Sequence, residues 1–125
     1  MEGKTRGHSL VETIVATAIA GCALVAMSAV FAQAGEVIAG ARHATRATLL
    51  ARGLLEEALG QSAGTLLADG SRDVPAPDLP QGRARSSFLA IGEPGIADPP
   101  VRIAVSVSFV HRGRERRVTL RTVRF

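Results

Sequence analysis

An unbroken run of uncharged residues near the N-terminus constrains this chain more than any other feature. Between Glu12 and Glu36 lie 23 residues, Thr13 to Gly35, and none of them is charged. A helix of that length reaches roughly 35 Å, which is enough to cross a hydrocarbon core of about 30 Å. The run is apolar on every side rather than along one stripe. The sequence therefore predicts a membrane-spanning helix.

Glu12 stands at the start of this run. A carboxylate within a spanning segment costs a few kcal/mol, so it is a candidate functional residue that needs a partner. The preceding residues, Arg6-Gly7-His8, form a junction between basic residues and glycine. Cleavage after Gly7 would free an α-amino group at His8, four residues before Glu12. The ammonium and the carboxylate could neutralise one another, within one chain or between neighbouring chains.

At these positions the chain resembles the type IV prepilin and pseudopilin family. That family has a short basic leader ending in Gly, a cleavage and N-methylation site, Glu as the fifth mature residue, and an apolar helix. The chain departs from the family's usual Phe-Thr start with His8 and Ser9. The resemblance implies cleavage by a prepilin peptidase between Gly7 and His8, N-methylation of His8, and a role for Glu12 in assembly as the partner of an N-terminal amine. The matching residues are Gly7, Leu10, Val11 and Glu12.

Two other targeting signals overlap the apolar run. Ile19-Ala20-Gly21-Cys22 is similar to a lipobox, in which Cys22 would be lipidated, and Ala32-Gln33-Ala34 has the small-x-small form of a signal-peptidase site. Both place Glu12 inside the hydrophobic region of a signal peptide, where a charge is unfavourable. We therefore favour cleavage at Gly7. Lys4 and Arg6 precede the run, which predicts a single-pass protein with a cytoplasmic N-terminus and an exported C-terminal domain.

After the apolar run the chain divides into three segments. Residues 36–61 continue the helix with an apolar stripe at spacings of three and four, with charges on the other sides. Residues 62–82 contain three prolines and a turn signal, and are expected to form a loop. The stripe comprises Val37, Ala41, Ala44, Thr48, Ala51, Leu55 and Ala58, widened by Leu50, Leu54 and Leu59.

Residues 83–125 read as strands. Apolar and polar residues alternate strictly from Val101 to Phe109, which is typical of a half-buried strand. The last strand, from Glu115, changes parity before Val123, which predicts a bulge or a departure from the sheet. Leader 1–7, spanning helix 8–35, amphipathic helix 36–61, loop 62–82 and sheet 83–125 together predict an α+β, pilin-like fold. Its sheet is expected to be antiparallel, with about three strands.

No arrangement of residues predicts catalysis. His8, His43 and His111 lie in three different segments, without carboxylates or cysteines at ligand spacing, and Cys22 is the single cysteine. There is no nucleophile motif and no glycine-rich phosphate loop. We therefore expect no enzyme activity, cofactor, metal site or small-molecule substrate.

Six arginines fall between residues 112 and 124. They could form a phosphate-binding patch, but they could equally be the polar face of an edge strand, where charge prevents sheet-to-sheet aggregation. The chain has no Trp or Tyr for base stacking, so we favour the edge strand over nucleic-acid binding.

The resemblance implies a structural assembly protein. The best match within the family is a small, I-type minor pseudopilin of a type II secretion system in the bacterial inner membrane. Its partners would be the prepilin peptidase, the other minor and major pseudopilins, the secretion assembly platform and the lipid. The alternatives are a minor pilin of a type IV pilus, including a DNA-receptor pilin, and a lipobox-anchored exported protein.

Overall fold

A computed structural model of the protein describes residues 9–92 and 99–125. Contacts divide the chain into two compact units, one ending at Ala39 and one running from Gly40 to Phe125. We call residues 9–39 the N-terminal unit and Gly40–Phe125 the head. The helices are α1, Leu10–Leu59, and α2, Ala63–Asp69; the strands are β1, Ser71–Ala76, β2, Gly82–Ala90, β3, Val101–His111, and β4, Arg114–Arg124.

Helix α1 is a single 50-residue element that belongs to both units. Its N-terminal part carries the uncharged run, and an 18-residue window of the helix has a mean hydropathy of 2.3, with none of that window buried. The helix is therefore long and apolar enough to cross a membrane, as the sequence predicted. It ends at Leu59, and the N–H of Gly60 donates to the carbonyl of Glu56 at 3.1 Å.

The sheet is an antiparallel meander in the order β1-β2-β3-β4. Strand β3 is central and alternates between buried and less buried residues along almost its whole length, as the sequence predicted. A two-residue turn joins β3 to β4, with Arg112 at φ 55° and Gly113 at φ 71°. Positive φ at both central positions matches the twist of a tight hairpin.

The core of the head lies between one face of this sheet and the two helices. On α1 the buried residues are all alanines, Ala47, Ala51 and Ala58. The sequence stripe correctly included Ala51 and Ala58 but missed Ala47, and it included Val37, which is exposed. The buried core residues are Ala47, Ala51, Ala58, Ala63, Leu66, Ala76, Leu79, Ala84, Val101, Ile103, Val105, Val107 and Phe109.

The prediction of a loop at residues 62–82 is wrong for most of that segment, because the segment contains α2 and β1. Ser62 caps α2: its Oγ accepts from the N–H of Thr65 at 3.3 Å. Pro75 lies in β1, at the edge of the sheet, where a residue without an N–H is tolerated. The sheet consequently has four strands in the described residues instead of about three.

The predicted bulge or departure of the last strand is also wrong. Strand β4 pairs with β3 in one unbroken register, from His111↔Arg114 to Val101↔Arg124. The parity change has another cause: Leu120 lies on the face that bears the core, and Val123 lies on the opposite face, where it pairs with Arg102. The α+β architecture itself, an N-terminal apolar helix followed by an antiparallel sheet, is confirmed.

Candidate functional site

The first candidate site is the start of α1. The Oγ of Ser9 accepts a hydrogen bond from the N–H of Glu12 at 3.3 Å, and the Ser9 carbonyl accepts from the N–H of Thr13 at 3.2 Å. A serine followed three residues later by a glutamate has the spacing of a capping box. This signal was present in the sequence, and our sequence analysis missed it.

Glu12 lies in the first turn of α1 and is exposed. A carboxylate is favoured there because the helix dipole is positive at its N-terminus. Ser9 and Glu12 together therefore define where the helix begins. Gly7 and His8, the predicted cleavage and methylation positions, lie outside the described residues, so processing stays a prediction, as does the pairing of Glu12 with an amine.

The helix beyond Glu12 presents apolar side chains to its surroundings. Leu24 is 67% exposed and Phe31 is 69% exposed. Two hydroxyls in this stretch bond back to the helix itself: that of Thr17 donates to the Thr13 carbonyl at 2.9 Å, and that of Ser28 donates to the Leu24 carbonyl at 2.8 Å. These polar groups therefore need no water, which suits a lipid or protein environment.

Cys22 is exposed on α1, and the helix runs without a break through it and through residues 32–34. The two competing targeting signals thus lie on one continuous helix. The lipobox and the signal-peptidase site stay predictions.

A second candidate site lies inside the head, where the fold brings together two histidines that are far apart in the sequence. The rings of His43 and His111 have centroids 6.0 Å apart, and His43 lies 6.3 Å from Phe109. The Nδ1 of His43 is buried and has no hydrogen-bond partner among the described residues. A Cβ at Gly40 would come within 3.0 Å of the Nε2 of His111, so the absent side chain makes room for that ring.

The sequence could not show this pair, because the helix and the hairpin are more than sixty residues apart. Within residues 9–92 and 99–125 no group of three or more His, Cys, Asp or Glu side chains could hold a metal ion.

The arginines of the last strand do not form one patch. In the register of β4, Arg114, Arg116 and Arg124 pair with the residues of β3 that face the core, whereas Arg117 and Arg121 pair with Ser108 and Ala104. Strand β4 is an edge strand, which agrees with the aggregation-preventing role favoured above.

The face of the sheet opposite α1, which we call the outer face, carries a charge pair between two strands. The Nε of Arg85 donates to Asp73 Oδ1 at 2.7 Å, and its Nη2 donates to Oδ2 at 2.9 Å. This hydrogen bond lowers the pKa of the Asp73 carboxyl and raises that of the Arg85 guanidinium. The pair borders an open cavity of about 500 Å³ that Arg83, Ser108 and Arg117 also line.

Comparison with protein-family models, curated proteins and solved structures finds no match to this chain.

Proposed function

We propose that this protein is a minor pseudopilin of a type II protein secretion system. A prepilin peptidase would cleave it between Gly7 and His8, and its N-terminal helix would then assemble into the pseudopilus. In this role the protein is structural and catalyses no reaction. It spans the inner membrane once, with its N-terminus in the cytoplasm and its head in the periplasm.

The observation that carries the proposal is the start of α1. Glu12 occupies the first turn of a 50-residue helix, and no residue of that helix before Ala47 is buried. Within this surface the uncharged run from Thr13 to Gly35 suits lipid before assembly and neighbouring apolar helices after it, because the described part of the chain supplies no cover for it. A carboxylate at the end of that surface can direct association by pairing with an ammonium of a neighbouring subunit.

The same arrangement would serve a minor pilin of a type IV pilus, since both kinds of subunit assemble through an N-terminal helix. The neighbouring genes distinguish these two: genes for secretion components favour the pseudopilin, and genes for a retraction motor favour the pilus.

Processing is tested by the intact mass of the protein extracted from membranes. We expect a chain that begins at His8, with or without one added methyl group. Gly7→Leu should accumulate as the precursor, because the peptidase needs a residue without a side chain beside the scissile bond. A diacylglyceryl-modified chain beginning at Cys22 would instead establish the lipoprotein alternative.

Assembly is tested by Glu12→Leu, with Glu56→Leu as the matched control on an exposed position of the same helix. Glu12→Leu should insert and be cleaved normally, since it removes a charge from the span. Co-purification with partner pseudopilins and secretion of a reporter should fall, because an ammonium in an apolar filament core would lose its partner at a cost of several kcal/mol.

Glu56→Leu should leave both readouts unchanged. Glu12→Asp should be intermediate, because the charge survives on a shorter side chain. Undiminished partner binding and secretion by Glu12→Leu would remove the assembly role of this residue. Improved export of that variant would favour the lipoprotein.

A further inference from the structure

The outer face of the sheet carries an ordered series of arginines. On β3 the odd-numbered residues from Val101 to Phe109 are buried, so the even-numbered residues point to the outer face. The register of β2 and β4 against β3 then gives four successive rows across that face. The rows are Arg83–Ser108–Arg117, Arg85–Ser106–Thr119, Ser87–Ala104–Arg121 and Leu89–Arg102–Val123.

Every one of these rows contains at least one arginine. Neighbouring rows are two residues apart along the strands, which corresponds to about 6.6 Å. The rows therefore repeat along the strands at the spacing of alternate residues in another extended chain, and each row offers an arginine from β2, β3 or β4.

The middle residues of the four rows, all on β3, form a shallow channel. Three of the four central residues, Ala104, Ser106 and Ser108, have small side chains and are half-buried between longer ones. The open cavity of about 500 Å³ described above lies at one end of this channel, with Arg83 and Arg117 among its lining residues. An extended chain could lie along β3 with arginines on both sides.

The face has an excess of positive charge. Two of its arginines are paired with acids of the same face: Arg85 with Asp73 at 2.7 Å, and Arg117 with Glu115 at 3.1 Å. Among residues 9–92 and 99–125 the other three form no hydrogen bond to a carboxylate. Those three are Arg83, Arg102 and Arg121, all of them exposed.

We propose that the outer face of the sheet binds an extended acidic segment of a partner protein, with carboxylates at alternate residues. Guanidinium groups hold carboxylates through paired, charge-assisted hydrogen bonds. The hydroxyl of Ser108 can donate as well, whereas that of Ser106 donates to the Arg85 carbonyl. This surface uses only residues of the head, so it stands whether or not α1 assembles into a filament.

A protein segment fits this face better than a nucleic acid. None of the residues in the four rows is aromatic, so the face has nothing on which bases could stack. Asp73 and Glu115 also lie on it, and they would repel the continuous charge of a phosphate backbone. Acidic side chains separated by neutral ones can be placed to avoid them.

The test uses the full chain in non-ionic detergent and a labelled peptide of four Asp alternating with three Ser. Fluorescence anisotropy should show saturable binding that weakens as salt is raised. Arg83→Ser/Arg117→Ser should raise the Kd by about tenfold or more, because both arginines of one row are lost. Arg121→Ser, which removes one arginine from another row, should have a smaller effect in the same direction.

Two controls separate this site from general attraction between opposite charges. Arg42→Ser/Arg52→Ser removes the same charge from exposed positions of α1 and should change the Kd by less than about twofold. A peptide with its four Asp consecutive should bind more weakly, since its carboxylates do not share one side of an extended chain.

Hydrogen exchange of the β3 amides verifies that each variant keeps its sheet. Absence of saturable binding, or equal losses in the two double variants, would overturn the proposal. Tighter binding of a single-stranded oligonucleotide of equal charge would also overturn it, in favour of a nucleic-acid surface.

Discussion

The two parts of α1 both carry apolar side chains but differ in what surrounds those side chains. In the N-terminal unit the large apolar side chains are exposed, as Leu24 and Phe31 illustrate, whereas in the head Ala47 and Ala51 are completely buried. The head thus supplies its own apolar environment and the N-terminal unit does not. One helix therefore lies in two environments, and the described chain provides only the one in the head.

Charged groups, unlike hydroxyls, distinguish the two parts. Hydroxyls bond to carbonyls of the preceding turn in both, as Thr17 and Ser28 do in the N-terminal unit and Thr45 and Thr48 do in the head. In the head, charged side chains pair across strands in water, as Arg85 and Asp73 do. The run from Thr13 to Gly35 contains no charged side chain, whereas the sheet of the head presents exposed charges to water. The first three of the following experiments make the same kind of change in both parts, and the last concerns a charge pair of the head.

The largest difference is expected for the truncation of a phenylalanine. Phe109 is 1% exposed in the core of the head, and Phe31 is 69% exposed on the N-terminal unit. Phe109→Ala should reduce the free energy of unfolding of the head by about 3–5 kcal/mol. Phe31→Ala should leave it unchanged. Urea unfolding of the full chain in micelles, monitored by hydrogen exchange of the β3 amides, measures the free energy of unfolding of both variants. Equal losses in the two variants would contradict the distinction between the two parts.

An arginine placed on the surface of α1 should have the larger effect in the N-terminal unit, and the effect is on membrane insertion. Leu24 and Leu49 have similar exposures, 67% and 62%, but lie in the N-terminal unit and the head respectively. Leu24→Arg should oppose membrane insertion by about 2.5–3.5 kcal/mol. Leu49→Arg should insert normally, since its position lies outside the uncharged run. Alkaline extraction of membranes gives the inserted fraction, and equal extraction of the two variants would contradict a span limited to the N-terminal part.

A smaller difference between the two parts is expected when a single Cβ is added at a glycine. A Cβ at Gly82 would lie 2.5 Å from the Ala76 carbonyl oxygen and 2.6 Å from the Cβ of Leu79, whereas one at Gly21 would meet nothing within 4 Å. Gly82→Ala should therefore destabilise the head by about 1–3 kcal/mol, because the β1–β2 connection has to shift. Gly21→Ala should change neither head stability nor insertion. The same urea and extraction measurements apply.

The sequence predicted the parts of this structure that depend on local patterns. The uncharged run identified the apolar helix, and strict alternation identified β3, because each pattern follows directly from the period of its element. Strand β1 was missed because three prolines indicate a loop, and only the position of Pro75 at a sheet edge makes a strand possible. The parity of β4 was misread because Val123, although apolar, lies on the outer face.

The candidate sites also differ in whether they depend on a local sequence pattern. Glu12 could be identified in the sequence because a charge in an apolar run is a local anomaly. The contact of His43 with His111, and the arginine rows of the outer face, depend on strand register and on helix-to-sheet packing. A register cannot be read from one strand alone, so these arrangements appear only once the strands are paired.

The smallest expected effect concerns the Arg85–Asp73 pair, which lies in water and is exposed on both sides. The hydrogen bond from Arg85 lowers the pKa of the Asp73 carboxyl in the folded chain. The folded state therefore holds fewer protons on this group than the unfolded state. The resulting stabilisation is complete above the carboxyl's ordinary pKa of about 3.9 and is lost as the pH falls through the lowered value.

Titration of the Asp73 carboxyl by NMR measures this effect directly, without relying on a small change in unfolding. Arg85→Gln should raise the pKa of Asp73 toward its ordinary value, whereas Arg102→Gln, two rows away on the same face, should leave it nearly unchanged. High salt should act in the same direction as Arg85→Gln, because mobile ions screen an exposed pair. If neither Arg85→Gln nor salt changed the pKa of the Asp73 carboxyl, a group other than the Arg85 guanidinium would be lowering it. The contrast between a head that uses charges in water and a run from Thr13 to Gly35 that contains none would then lose its clearest example.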